Sequence, residues 1–403
     1  MVSMKEVKHY ASVTCMILLA FVGTVAFRVS IPAVAYYTRD ILESTALGVG
    51  LLTSAFFGAR ALSAIFSGRL CDKYISKVLY LSSLSFALNA LVVNFYPYAH
   101  SLVHVVVIRL TQGLLNGIAW VPIQVVLGKS VPTSIRGRIY SIYFTLGSLG
   151  GMAGNAIYSL MVNEPLVKVI HVSSLFFAFS SLITLITALL MRSSLHKNVN
   201  LRTTLSNRKH VESVTVKVGL IGLVPILIII LGSSLFNSVI RGDLIYIYMN
   251  EVVNLSKGVV AQYIAIAVLA SLPTSYLLSW VSDRVSDVAS LRLSMIMAFL
   301  GALVLATPYK ELVLIGLLLT YGGFSGIVPV ARRVAISKFR LGGTALGIVN
   351  AVGNLGNVIG SALAGLIYDY LLSIHESAKL VIPIMLIPLL VALLTSLLIK
   401  SKK

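Results

Sequence analysis

Residues 192–218 read RSSLHKNVNLRTTLSNRKHVESVTVKV and form the longest polar interruption in a chain that is otherwise mostly apolar. The stretch carries Arg192, Lys197, Arg202, Arg208, Lys209 and Lys217. Apolar segments lie before it at 11–38, 46–68, 78–98, 102–128, 139–162 and 169–191. They resume after it at 219–250, 258–280, 293–308, 311–331, 342–371 and 380–399. A helix that crosses the hydrocarbon core needs about 20 apolar residues. Most of these segments reach that length, the ninth being the shortest. The polar stretch therefore divides twelve predicted helices six and six. The predicted organisation is a first six-helix half over 1–191, a basic linker over 192–218 and a second half over 219–403.

Composition points the same way. Of 403 residues, 58% are apolar and 11% charged, with a mean hydropathy of +0.95. Soluble domains carry about a quarter charged residues, so the predicted class is an all-α membrane protein. Cys15 and Cys71 fall in or beside apolar segments, so no disulfide framework is implied. The apolar stretch from Ala11 to Tyr37 is too long for a signal-peptide core and reads as a retained first helix.

A net charge of +19 is of the size that accompanies nucleic-acid binding, but its distribution argues against that partner. With both termini cytoplasmic, the cytoplasmic segments hold 23 of the 32 Lys and Arg. The opposite side holds five, Arg39, Lys168, Lys257, Lys310 and Lys379, and four lie within helices, Arg28, Arg60, Arg109 and Arg241. This is a positive-inside bias, with the basic excess facing anionic lipid. The expectation is a multi-pass protein of the plasma membrane with both termini cytoplasmic.

An internal repeat supports the two halves. Asp72 after helix 2 has a counterpart in Asp283 at an offset of 211, Gly117 in Gly326 at 209, and Ile157-Tyr158 in Ile367-Tyr368 at 210. Repeats of this kind are common in transporters, with the solute site at their interface near the midplane.

The loop after helix 2 reads GRLCDKYISKVL, residues 68–79. It resembles the signature loop of the major facilitator superfamily, a Gly-x-Leu-x-Asp-Arg-x-Gly-Arg-Arg pattern. Gly68, Leu70, Asp72, Lys73 and Lys77 fit it, while Ile75 and Ser76 replace a glycine and a base. The second-half copy, SWVSDRVSD at 279–287, keeps Asp283 and Arg284. Helix 4 carries RLTQGLLNG at 109–117, which is similar to the family's Arg-x-x-Gln-Gly motif. Helix 5 carries GSLGGMAGN at 147–155, which resembles the glycine-rich motif of antiporters but lacks its proline, so export does not follow from it. The resemblance implies twelve transmembrane helices in two pseudo-symmetric six-helix bundles, and secondary transport by alternating access.

Asp72 sits at a helix boundary among Arg69, Lys73 and Lys77. A carboxylate there pairs with bases or with the positive N-terminal end of a helix. Gly68, Asp72, Lys73, Lys77, Asp283 and Arg284 are expected to form a cytoplasmic gate that latches the halves and breaks on inward opening. A solvated loop charge is the alternative. The glycines of helices 5 and 11 have the small-residue spacing of close helix packing.

The intramembrane charges speak to the solute. An arginine at the bilayer centre costs about 2.5–3.5 kcal/mol on insertion scales, so such residues face a cavity or a partner. Arg28 and Arg109 lie well inside helices 1 and 4. Arg60 lies nearer the cytoplasmic end of helix 2, where snorkelling accounts for it. Arg241 lies in the outer half of helix 7, followed by Gly242 and Asp243. Asp243 is the one plausible intramembrane acid, the others falling in loops or at helix ends, and is the proton-coupling candidate. Its alternative is a counter-ion for Arg241, although residues two apart on a regular helix do not share a face.

The paired arginines of helices 1 and 7 and the run RLTQGLLNGIAWVP resemble those of the organic phosphate antiporters and anion–cation symporters, with Asn116 where some symporters carry a glutamate. The candidate substrate-binding set is Arg28, Arg241, Arg109, Asn116, Trp120, Tyr36, Asn237 and Tyr246. The expected substrate is a small organic or inorganic anion, with a proton or counter-solute as coupling partner. A multidrug or metabolite exporter with a structural Arg28 is the runner-up, and a polytopic intramembrane enzyme a distant alternative. No phosphate loop, dinucleotide turn or nucleophile elbow is present, and His100, His104 and His171 lack metal-ligand spacing. The chain is therefore expected not to be an enzyme, to need no cofactor or metal and to work as a monomer in the bilayer.

Overall fold

Apolar segments this long become helices because backbone N–H and C=O groups find no water in hydrocarbon and must pair within the segment. The computed structural model describes residues 4–205, 219–307, 309–339 and 343–399, and among them there is no strand. Thirteen α-helices follow one another. The first half contains α1 Met4–Tyr36, α2 Ala46–Lys73, α3 Val78–Val92, α4 Leu102–Ser130, α5 Thr133–Leu160 and α6 Leu166–Leu205. The second contains α7 Gly219–Arg241, α8 Leu244–Glu251, α9 Lys257–Arg284, α10 Asp287–Ala306, α11 Lys310–Phe339, α12 Gly343–Ser373 and α13 Val381–Leu398. Eleven segments are long and apolar enough to cross a membrane among the described residues. The remaining crossing is α5, whose glycines and the bases Arg136 and Arg138 dilute its apolar character.

Two elements differ from the expectation. The predicted continuous helix over 219–250 is broken at Gly242-Asp243 into α7 and α8. Glycine weakens a helix interior by about 1 kcal/mol, and both the amide and the carboxylate of Asp243 bond outside the helix. At the repeat offset of 210, Gly242 corresponds to Pro32, which α1 accommodates without a break. The basic stretch 192–218 is not wholly a loop, since α6 continues through Leu205. Residues 206–218, with Arg208, Lys209 and Lys217, lie outside the described residues.

The helices pack as two related bundles. In the first, α1 lies against α5 and α6, α2 against α4, and α3 against α4 and α6. In the second, α7 lies against α12 and α13, α9 against α11, and α10 against α11 and α13. Close approach depends on glycine at matching places. A Cβ on Gly150 would sit 2.3 Å from the Phe21 carbonyl oxygen, and one on Gly360 would sit 2.2 Å from that of Leu235. Large apolar side chains such as Leu62, Phe66, Leu91, Val103 and Val107 are exposed. In water such a surface would mark an interface; here it faces lipid.

The halves meet where α2 packs on α12 and α5 on α9. Polar contacts between them gather at the end remote from Met4 and from the α2–α3 connection, hereafter the distal end. Arg39 holds Glu251 with two guanidinium nitrogens, at 2.6 and 3.0 Å, and Lys257 pairs with Asp40. The Tyr368 hydroxyl donates to Glu251. Asp369 of α12 accepts from the first two amides of α2, Ala46 and Leu47, each at 2.8 Å. A carboxylate there satisfies donors that lack intrahelical partners and meets the positive end of the helix dipole. At the equivalent place in the other half, the Ser159 hydroxyl donates to the Gly258 carbonyl at the start of α9.

Candidate functional site

Asp243 is the residue around which the centre of the molecule is organised. The break after α7 frees its backbone, and Thr53 of α2 clamps it from the other half. The Thr53 hydroxyl accepts from the Asp243 amide at 2.9 Å and donates to its carboxylate at 2.6 Å. The second carboxylate oxygen accepts from Arg109 of α4 at 2.6 Å. Both ionic side chains are almost fully buried, at 2% and 6% exposure. Asp243 also precedes the N-terminus of α8, where a negative charge is favoured.

The motif in α4 builds this pair from its own residues. Gly113 lets α4 approach α2, since a Cβ there would sit 2.3 Å from the Phe56 carbonyl oxygen. The Gln112 side-chain oxygen accepts from the Tyr96 hydroxyl at 2.6 Å. That fixes the ring over which the Arg109 guanidinium lies, 5.9 Å from the centroid. Spacing in the motif thus becomes a held cation, aimed across the seam between the halves.

Beside the pair lies a cavity of about 360 Å³ between the halves. Its polar lining includes Arg28, Arg60, Arg109, Arg241 and one carboxylate, Asp243. Arg241 donates to the Tyr321 carbonyl at 3.2 Å and stands over that ring, 4.6 Å from its centroid. The counter-ion of Asp243 is therefore Arg109. The expected local alternative, a pair with Arg241, is not formed, because the helix break turns the carboxylate towards the first half. The guanidiniums of Arg28 and Arg60 make no hydrogen bond or ion pair with another described residue.

Of the candidate residues, Arg28, Arg109, Asn116, Trp120, Arg241 and Asp243 line the cavity together. Asn116 is 4% exposed, and its side-chain oxygen has no partner among the described residues. Tyr36, Tyr246 and Asn237 are not part of the lining. The Tyr36 hydroxyl donates to the Tyr246 carbonyl at 3.1 Å, and the Tyr246 hydroxyl to Asn155 at 2.6 Å. The two tyrosines, related by the repeat offset of 210, meet face to edge across the seam as part of the distal closure. Asn237 is half-buried on α7.

Arg60, Thr53, Gln124, Tyr143 and Tyr321 also line the cavity. Arg60 carried a readable signal. Positions 53, 56, 57 and 60 share one face of α2 at the helical period, and all four line the cavity. Distance from the membrane surface, the criterion that assigned Arg60 to snorkelling, ignored which face it occupies.

Gly154 of α5 makes room for Arg28. A Cβ on Gly154 would sit 2.5 Å from the Arg28 Cβ and 3.1 Å from both the Val25 carbonyl oxygen and the Val29 nitrogen. Two of these are backbone atoms and cannot swing away. Gly154→Ala is expected to push α1 from α5 at an overpacking cost of about 1–3 kcal/mol. A lowered unfolding temperature together with reduced transport checks this; an unchanged unfolding curve contradicts it.

At the opposite end, Asp72 is exposed and forms no ion pair among the described residues. Lys73 lies over the Tyr74 ring at 5.1 Å, and Lys77 borders a small apolar cleft with Leu70, Tyr74, Val78 and Leu81. A Cβ on Gly68 would meet nothing within 4 Å. Asp283 and Arg284 are exposed at the end of α9.

The family model for the Major Facilitator Superfamily matches residues 16–361 and 226–402. No curated protein matches in sequence. Among solved structures, the nucleoside transporter NupG is similar at a TM-score of 0.69 and 12% identity, covering 97% of this chain and 100% of that one. The peptide transporter POT in complex with sulfate is similar at 0.72 and 10% identity, covering 95% and 93%. In complex with alafosfalin, POT is similar at 0.71 and 12% identity, covering 96% of each chain. At these identities the likeness is one of fold. A family match over nearly the whole length, two related helix bundles and a cavity between them lead to one assignment: the chain belongs to the major facilitator superfamily and is a multi-pass membrane transporter, not an enzyme.

Proposed function

We propose that this transporter moves a small organic anion by alternating access, with Arg28 of the first half and Arg241 of the second as the principal anion ligands. The observation that carries the reading is the charge of the cavity. Among the described residues, four guanidiniums line it against one carboxylate, and Arg109 already holds that carboxylate. Cations in a membrane interior are retained where they face a partner or a path. A guanidinium fork suits carboxylate and phosphate oxygens. Arg28 and Arg241 line the one cavity from opposite halves, and their like charges repel. An anion between them offsets that repulsion and draws the halves together, which is the linkage alternating access needs.

The distal end, closed by Arg39–Glu251, Lys257–Asp40, Asp369 and the paired tyrosines, is the outer gate in this reading, with both termini cytoplasmic and the protein in the plasma membrane. The cytoplasmic gate residues Gly68, Asp72, Lys73, Lys77, Asp283 and Arg284 then engage when the distal end opens. The open space at Gly68 and an Asp72 without an ion pair among the described residues fit a latch that is released in the present state. Asp243 is the proton-coupling candidate, because Arg109 and Thr53 hold its charge across the seam only while the distal end is shut. The transporter works as a monomer, since one chain supplies both walls of the cavity.

The test of the substrate class is thermal unfolding of the purified chain against anions, sugars, amino acids and lipophilic cations. A ligand at 100 times its Kd stabilises the folded state by about 2.7 kcal/mol. Organic anions are expected to raise the unfolding temperature, and to do so less in Arg28→Lys, which keeps the charge but loses the fork. Stabilisation by lipophilic cations alone would favour the exporter reading, in which Arg28 is structural.

The orientation has its own test. Impermeant thiol reagents added outside intact cells are expected to miss Ser194→Cys and to label Ser256→Cys. The reverse pattern would invert the topology and exchange the roles of the two gates.

A further inference from the structure

We propose that Arg60 forms a second anion subsite, so that the preferred substrate is an organic anion with two acidic groups held apart by a flat apolar middle. The inference rests on the anion reading of the cavity and narrows it to a class.

Arg60 lines the cavity as a half-buried side chain with no hydrogen bond or ion pair to another described residue. Tyr143, 3% exposed, stands near it, and Ser271 of the second half, at the repeat offset of 211 from Arg60, lines the same cavity. A guanidinium left this way inside a membrane protein has lost much of its hydration without replacement. Arg109 and Arg241 both have protein acceptors. Arg60 and Arg28 are the two lining guanidiniums with none.

The placement of Arg60 gives the spacing. Thr53, which clamps Asp243 two residues beyond Arg241, is seven residues from Arg60 on the same face of α2. Seven residues are two turns, about 10 Å along the axis. Arg28 is the charged neighbour of Arg241 and Tyr246. The cavity thus has one cationic end at Arg28 and Arg241 and another at Arg60, nearer the termini.

The wall of the cavity is aromatic, with Phe56 and Phe57 between Thr53 and Arg60 on α2. Phe27, Phe56, Phe57 and Trp120 line it, with Phe27 and Phe56 edge to face at 5.6 Å. A hydrated inorganic anion gains little from such a wall, whereas a flat apolar body packs against it favourably. A single negative charge would also leave one cationic end unmatched. Two acids on a rigid spacer satisfy both ends and use the wall.

The experiment is calorimetric titration of the full chain in nanodiscs of zwitterionic lipid with three probes: biphenyl-4-carboxylate, biphenyl-4,4′-dicarboxylate and succinate. The wild type is expected to bind the long dianion at least ~10-fold more tightly than the monoanion, the gain of one charge-assisted contact, and more tightly than succinate, which is too short to reach both ends. In Arg60→Gln the ratio of monoanion to dianion Kd should fall to about one; in Arg60→Lys it should fall only in part. A wild type with no preference for the dianion, a preference that survives Arg60→Gln, or succinate binding as tightly as the long dianion would each overturn the subsite. Binding of the monoanion without preference for the dianion sinks this inference alone. Failure of all three probes to bind sinks the anion reading with it.

Discussion

Asp243→Asn is expected to abolish concentrative transport and to destabilise the protein more than the double variant Arg109→Gln with Asp243→Asn does. The carboxylate has two partners, both from the other half: the Thr53 hydroxyl and the Arg109 guanidinium. Asparagine keeps a hydrogen bond to Thr53 but leaves Arg109 charged at 2% exposure. Breaking a buried ion pair from one side costs about 3–5 kcal/mol, because an uncompensated charge remains. Removing both charges relieves that cost, so the double variant should recover stability without recovering coupled transport. The cost also falls unequally on the transport cycle. Because the pair joins α4 to the α7–α8 break across the seam, it stabilises the distally closed state, and its loss shifts the population towards the open one. Unfolding curves for the two single variants and the double variant form a cycle that isolates the pairwise term. Additive losses would show that Arg109 and Asp243 do not act together.

Much of this fold was readable because lipid imposes a simple rule on sequence. Each crossing must be long, apolar and helical, and the basic stretch after residue 191 marks where one set of crossings ends. The repeat offset near 210 was also readable, and it went further than the pairs that first revealed it. It relates Tyr36 to Tyr246, which touch across the seam, and Arg60 to Ser271, which face the same cavity. Thr45 and Ser256, at an offset of 211, cap α2 and α9 in the same manner.

The partners of the polar side chains were less legible. Adjacency in the chain suggested Arg241 as the counter-ion of Asp243. Gly242 breaks the helix between them, and Asp243 turns to a residue 134 positions away. Tyr36, Tyr246 and Asn237 were placed beside the substrate because they are polar and intramembrane. Polarity at that depth is equally well met by a bond between helices, as the Tyr36 and Tyr246 hydroxyls show. Asp369, an acid at a helix end, gave no signal. Its role at the N-terminus of α2 depends on which helix end faces it, and that is a property of the packed halves.

Arg28→Ala and Arg241→Ala are each expected to abolish transport of the native substrate while leaving the protein folded. The two residues come from opposite halves and line one cavity, so an anion between them is a bridge, and losing either arm breaks it. Arg241 retains the Tyr321 carbonyl in the free protein; the Arg28 guanidinium has no hydrogen-bond or ion-pair partner among the described residues. Removing either cation relieves repulsion in the cavity and leaves no buried charge without its counter-ion, so neither substitution should lower the unfolding temperature as Asp243→Asn does. Arg28→Lys should fall between wild type and Arg28→Ala, with weakened binding, because an ammonium lacks the planar pair of donors. The most direct measurement is uptake of the stabilising anion into vesicles containing purified wild type or Arg28→Ala, beside an unfolding curve for each. The account predicts a folded Arg28→Ala protein with no uptake. Uptake at the wild-type rate by Arg28→Ala would contradict the anion bridge at the centre of this account.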